Sequence, residues 1–371
     1  MPWLALRTRA CSALRRPPPT VASSSSLLPV PRRRFGSSIA SHAKGTIREV
    51  PILPSRDTGV FEQAYKRNLP VRLPRSRTHL PPACSKWFIH DGNPDFDLFG
   101  SPSVITDGDV EEGRPGDWIN VPRSSELRTS FWSEHESTFV PLEITTRDAL
   151  SVLPPGSIDA ENEGFERITA PLKILIAYLA RPPTTNPTNT SQLDRDMSIY
   201  LAQCDLSSLP ESMQSDVPIP KLLRPPSSSR GTIKGDIYAS SLWLGRPPTY
   251  TPLHRDPNPN LFIQLAGQKT IRLLPPEIGD ALYHEVITKL SPTSTSFSTA
   301  IRGEEMMVGP QKAALHDAIW DPSSIYSDLV GVHGIQTTLR LGEALFTPKG
   351  WWHSVKGVGD GVTASVNWWF R

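Results

Sequence analysis

Hydrophobic positions in the second half of the chain come in short runs. Asp236 to Leu244, Leu261 to Ala266, Thr270 to Leu274, Thr338 to Leu341, Ala344 to Thr347 and Val362 to Phe370 are rich in β-branched and aromatic residues. Turn signals such as Gly267-Gln268-Lys269 divide them, so each run predicts a strand. Many short strands with few late helices predict an antiparallel double-stranded β-helix, or jelly roll, over residues 200–371. Residues from about Leu290 to Gln336 break the pattern and predict an insertion; Ser151 to Glu163 and Pro225 to Thr232 predict smaller ones. The fold class expected is therefore mainly β, with a helical amino-terminal part, flanking helices and loop insertions.

Upstream the period changes. An acidic-apolar stretch around Phe61-Glu62-Gln63-Ala64-Tyr65 suits a short helix, and folded structure is expected from about Ile47. Trp87, Trp118 and Trp132 mark apolar segments separated by Asp-, Gly- and Pro-rich turns. Ile168, Leu172, Leu175, Ile176 and Leu179 recur at spacings of three and four, which predicts a helix over Phe165 to Leu179. Arg181-Pro182-Pro183 ends it, and a solvated loop to about Asp196 follows. Residues 47–199 are read as a helical or mixed part that supports the barrel.

Composition changes this picture at one end. The 371 residues carry a formal net charge of +2, but residues 1–46 hold eight basic residues and no acid, which leaves −6 for the remainder. An Arg-rich, Ser-rich, acid-free amino terminus reads as a mitochondrial transit peptide, or otherwise as a disordered basic tail of a cytoplasmic or nuclear protein. The acidic body argues against a broad phosphate-binding surface, so no strong nucleic-acid signature is read. No apolar run is long enough to cross a bilayer. Three cysteines, Cys11, Cys84 and Cys204, form no Cys-x-x-Cys pair, so structural disulfides and a cysteine zinc site are not expected.

The chemistry concentrates in Thr251-Pro-Leu-His254-Arg-Asp256 and, about a hundred residues on, Trp351-Trp352-His353. Side chains two apart on a strand share one side, so His254 and Asp256 can serve one ion together. His353 follows a strand-like run and a turn, from which an adjacent strand end can deliver a third ligand. Two imidazoles and a carboxylate on one face of an octahedral ion leave the other face open, the ligand set of non-haem Fe(II) oxygenases. A lone His-x-Asp is a weak signal. His42, His79, His90, His135, His284, His316 and His333 lack such context and are read as exposed or hydrogen-bonded. Gly357-Val-Gly359-Asp-Gly361 opens no helix, so it is read as a hairpin turn.

Context strengthens the triad. Tyr200-Leu-Ala-Gln203, Thr251, Asn260, Lys269, Pro275-Pro276, Gly350-Trp-Trp-His353 and Ser365-Val-Asn367-Trp-Trp-Phe370 together resemble the Jumonji-C oxygenases, cupin-like Fe(II)/2-oxoglutarate enzymes. The likeness is to their small hydroxylase branch, which includes the asparaginyl hydroxylase of hypoxia-inducible factor and the arginyl hydroxylases. It implies Fe(II) held by His254, Asp256 and His353, with 2-oxoglutarate and O2 as co-substrates. Lys269 matches the lysine that pairs with the far carboxylate of 2-oxoglutarate, and Thr251 and Tyr200 match hydroxyls that bond the same group. Asn260 and Asn367 match amides near the metal end.

The same likeness implies a dioxygenase that hydroxylates an arginyl, lysyl or asparaginyl side chain of a protein or peptide. An acidic body would suit a basic one. Gln203, three residues beyond Tyr200, and Trp352, beside His353, are the candidates for substrate contact. The four tryptophans of the two motifs are otherwise expected to pack the core and rim. Rival readings are a non-catalytic metal-binding scaffold, a cupin using another metal, a histone demethylase, or a hydroxylase of tRNA or a small molecule. Intact ligands together with Lys269 and Thr251 favour the hydroxylase. The oligomeric state is left open.

Overall fold

In the computed structural model, residues 46–99, 122–147, 163–181, 197–224, 232–290 and 308–371 are described. The basic amino-terminal stretch, Trp118, the loop after Arg181 and nearly all of the two smaller insertions lie outside them. Strands, numbered in chain order, form two large sheets. One has the order β1 (Arg48–Glu49), β12 (Ile335–Arg340), β11 (Gln268–Leu274), β14 (Trp352–Val358) and β9 (Thr249–Arg255). The other runs β2 (Val71–Leu73), β13 (Ala344–Thr347), β10 (Asn260–Ala266), β16 (Thr363–Phe370), β8 (Ile237–Gly245), β7 (Met197–Asp205), β5 (Phe139–Arg147) and β6 (Glu163–Pro171). A small sheet adds β3 (Phe88–His90), β4 (Ser124–Leu127) and β15 (Asp360–Gly361). Neighbours in the two large sheets pair antiparallel, except that β1 runs parallel to β12. The result is the expected jelly roll, with the six predicted strand runs corresponding to β8, β10, β11, β12, β13 and β16.

The amino-terminal part does more than support the barrel: it supplies β1, β2, β5 and β6 to the two sheets, and β7 straddles the expected boundary at residue 199. Helix Thr58–Arg67 forms where expected. Asp57 caps its first turn by accepting from the backbone N–H of Gly59 and Val60, and Asn68, with φ 53°, closes its end.

Two expectations are corrected. Phe165 to Pro171 is strand β6, not helix; only Leu172–Leu179 is helical, starting directly after Pro171. Arg167 pairs across the strands with Glu143, its register partner on β5, and a proline in the middle of a helix would remove a ladder bond. Residues 357–361 make no hairpin: β14 and β16 lie in different sheets, so this segment is the crossing from one sheet to the other, and it pairs with β4 on the way. The described part of the long insertion carries two helices, and Ile335 and Gln336 at its end already belong to β12. Gly309–Trp320 and Ser327–His333 pack with Pro276–Leu290 on the five-stranded sheet, around Leu253, Leu274, Leu282, Leu315, Ile319 and Trp352. Each buried Leu or Ile there contributes roughly 1.5–3 kcal/mol.

Candidate metal centre and cavity

β9 and β14 are adjacent, and their register sets His254 opposite His353, with ring centroids 4.1 Å apart. Asp256 follows the end of β9 and brings Oδ2 to 3.7 Å from His353 Nε2. One donor atom of each of the three lies within 4.8 Å of the others. Their hydrogen bonds orient them. Nδ1 of His254 donates to the Pro252 carbonyl at 2.8 Å, and Nδ1 of His353 to that of Trp351 at 3.3 Å. Both Nε2 lone pairs are therefore left for a cation. Asn260 Nδ2 donates to Asp256 Oδ2 at 2.9 Å, while the buried Asn260 Oδ1 has no partner among the described residues. Burial, reinforced by the neighbouring His353, holds His254 down at about 4, so it stands neutral near pH 7.

Lys269 sits on β11, only 2% exposed. Its Nζ reaches across to the other sheet, donating to Ser365 Oγ at 2.7 Å and Tyr200 Oη at 3.2 Å. Phe262, Tyr200 and Trp243 surround it with ring centroids 5.4–6.0 Å from the nitrogen. Among the described residues it makes no ion pair, and burial pushes its ammonium down to about 7. The Tyr200 ring lies against Gly245, where a Cβ would collide with it.

A cavity of about 480 Å³ between the sheets joins these groups. The triad, Lys269, Thr251, Asn260, Asn367 and Gln203 all line it. Asn367 is fixed by accepting from Trp243 Nε1 at 2.7 Å. Gln203 is exposed and holds a φ of 51° at an irregularity in the β7–β8 pairing. Tyr200 stands behind Lys269 and is absent from the wall. Trp352 is the misplaced candidate: alternation along β14 sends it away from the cavity, 0% exposed and against Tyr283.

Sequence reasoning missed several groups. Ser365 lies two before Asn367 on β16, so strand alternation could have found it. Trp243 and Phe262 face inward on predicted strands in the same way. Asp280 had no local signal. On helix Pro276–Leu290 it accepts from Arg255 Nη1 at 2.9 Å and from Trp352 Nε1 at 3.2 Å, binding the residue after His254 and the one before His353. Gly279 lets that helix approach, since a Cβ there would strike the Trp352 ring.

A family model described as a cupin-like domain matches residues 159–371, more than half of the chain. Lysine-specific demethylase JMJ30 of Arabidopsis thaliana is 29% identical over 170 residues, covering 46% of this chain and 33% of its own. Jumonji C domain-containing protein 5 of Drosophila melanogaster is 30% identical over 170 residues, covering 46% and 36%. HSPB1-associated protein 1 of Bos taurus is 32% identical over 137 residues, covering 36% and 24%. The chain thus matches between about a quarter and about a third of these relatives' lengths.

Proposed function

The chain belongs to the cupin-like domain family, with Jumonji-C proteins among its relatives, and from that premise we propose that it is an Fe(II)- and 2-oxoglutarate-dependent oxygenase acting on a protein side chain. The observation that carries the reading is Lys269: a buried cation without an ion-pair partner among the described residues, lining the same cavity as two imidazoles and a carboxylate. That donor set fits a divalent ion of borderline hardness with open positions. The uncompensated ammonium fits the far carboxylate of a short dianion, and the orphaned Asn260 Oδ1 fits a donor near the metal end.

His254, Asp256 and His353 would hold the iron; bound there with 2-oxoglutarate and O2, it would supply oxidation of a C–H bond with release of succinate and carbon dioxide. Lys269 would anchor the co-substrate and Tyr200 and Ser365 would orient the lysine, while Thr251 and Asn367 shape the wall beside it. Phe262, Val355 and Trp243 give that wall an apolar lining that limits water. Gln203 and the half-exposed Tyr238 line the same cavity, where a side chain of a larger substrate would arrive.

The test is to incubate the chain with Fe(II), 2-oxoglutarate and a peptide library, measuring succinate and product mass. One added oxygen is the expected result; formaldehyde with loss of a methyl group would instead follow the lysine demethylase named among the relatives. His254→Ala is expected to abolish succinate formation and metal retention together. Succinate at the metal-free background in the unaltered chain would leave a non-catalytic metal-binding scaffold.

A further inference from the structure

A second recess lies on the other side of the same wall. Along β10, Asn260 and Phe262 face the cavity, whereas Leu261 and Ile263 face away and, with Ala344 of β13, line a recess of about 100 Å³. The rest comes from the segments around His79 and from Pro218 to Arg224. Its charged and titratable lining residues are Arg56, His79, Lys221 and Arg224, with no carboxylate.

Arg56 is 6% exposed. Nε donates to the Pro74 carbonyl and Nη2 to that of Gly342, each at 2.6 Å, while Nη1 has no partner among the described residues. Among the described residues no carboxylate comes within ion-pair distance of it. Glu343, whose field it feels, is engaged by Arg72 at 3.7 Å and by the Arg340 backbone N–H at 2.9 Å. Burial lowers Arg56 to about 10, and His79 is lowered by burial and then by the charges of Arg56 and Lys221. The charged residues of the recess are thus all basic, set in a largely apolar lining, and among the described residues Arg56 keeps one donor without a partner.

We propose that this recess binds a single compact oxyanion of the phosphate class, with Arg56 contacting it from within and Lys221 and Arg224 closing over it from the rim. A guanidinium presents paired donors that suit phosphate oxygens, and burial strengthens each bond by excluding water. The small size of the recess suits one such group and little more. The apolar floor of Leu261, Ile263 and Ala344 offers a cation nothing. This site is independent of the oxygenase reading, because none of its residues lines the main cavity.

The test is a titration of inorganic phosphate into the full chain at ionic strength held constant with chloride, followed by calorimetry and by phosphorus NMR line width. Saturable binding of one equivalent is expected. Lys221→Ala with Arg224→Ala, both at exposed positions, should weaken it at least tenfold, while Lys269→Ala leaves it unchanged. Glycerol 3-phosphate run in parallel distinguishes the source: binding equal to that of phosphate identifies a phosphate ester as the ligand, and binding of free phosphate alone identifies the inorganic ion. Non-saturable binding, binding unaffected by the double substitution, or binding lost with Lys269→Ala would each overturn the proposal; the last would place the anion in the main cavity.

Discussion

An ammonium enclosed by Phe262, Tyr200 and Trp243 has given up hydration that two hydroxyls only partly replace. Lys269 is therefore held at about 7 against an ordinary 10.5. The sign follows: stability tied to this group is fully present above about 10.5, is lost progressively as pH falls from there to about 7, where the unfolded chain takes up a proton that the folded chain does not, and is gone below 7. A dianionic ligand reverses the preference and binds with uptake of a proton above pH 7. Affinity for 2-oxoglutarate should consequently fall roughly fivefold between pH 7 and pH 8. Calorimetry in two buffers of different ionisation enthalpy reads that proton directly, and zero uptake at pH 8 would contradict it. Beside the lysine, Gly245→Ala should push the Tyr200 ring out of place, at a cost of about 1–3 kcal/mol. A lowered melting temperature together with weaker 2-oxoglutarate binding is the expected outcome. Burial also pushes the Tyr200 phenol up, so it remains a neutral hydrogen-bonding group throughout this range.

Among the elements, helix Pro276–Leu290 governs the geometry of the metal centre without contributing a ligand. Its Asp280 fastens Arg255 and Trp352, and so the two strands on which His254 and His353 are carried. Asp280→Ala is expected to weaken Mn(II) binding roughly tenfold, the lower end of what outer partners of metal ligands contribute, with the fold retained by circular dichroism. Unchanged metal affinity would show that the clamp only packs the helix. This clamp marks where the sequence stopped being legible. Alternation identified β10, β11 and β16 because their two faces meet different surroundings, and the spacing of His254, Asp256, Lys269 and His353 survived intact into three dimensions. Ile168 to Leu179 misled because apolar positions three and four apart fit a helix whether or not its first half is a strand, and the weight lay with Pro171, which no helix interior tolerates. Trp352 was misplaced because a residue beside a ligand points to the opposite face of its strand. Asp280 is bound to Arg255 and Trp352 by folding alone, and no local pattern announces such a partner.

Across the whole molecule, the two sheets act as walls, and both the ligand triad and Lys269 depend on their separation. β9 and β14 supply the metal face, β11 the lysine, and β7 and β16 the hydroxyls that meet it. No helix among the described residues is long and apolar enough to cross a membrane. A divalent ion and 2-oxoglutarate held between the walls should stabilise the folded chain together more than either alone. At a hundred times the dissociation constant this is worth about 2.7 kcal/mol, a rise on the order of 5 °C in melting temperature. Thermal denaturation with Mn(II), with 2-oxoglutarate and with both checks it, and purely additive shifts would argue against a shared site. The lone charge of Lys269 has a consequence beyond binding. Quality-control proteases sample whichever form of a protein opens most readily, and here that form is the one lacking a dicarboxylate. On the proposed reading the abundance of this chain follows the supply of 2-oxoglutarate, so that starvation for that metabolite removes the protein as well as idling it.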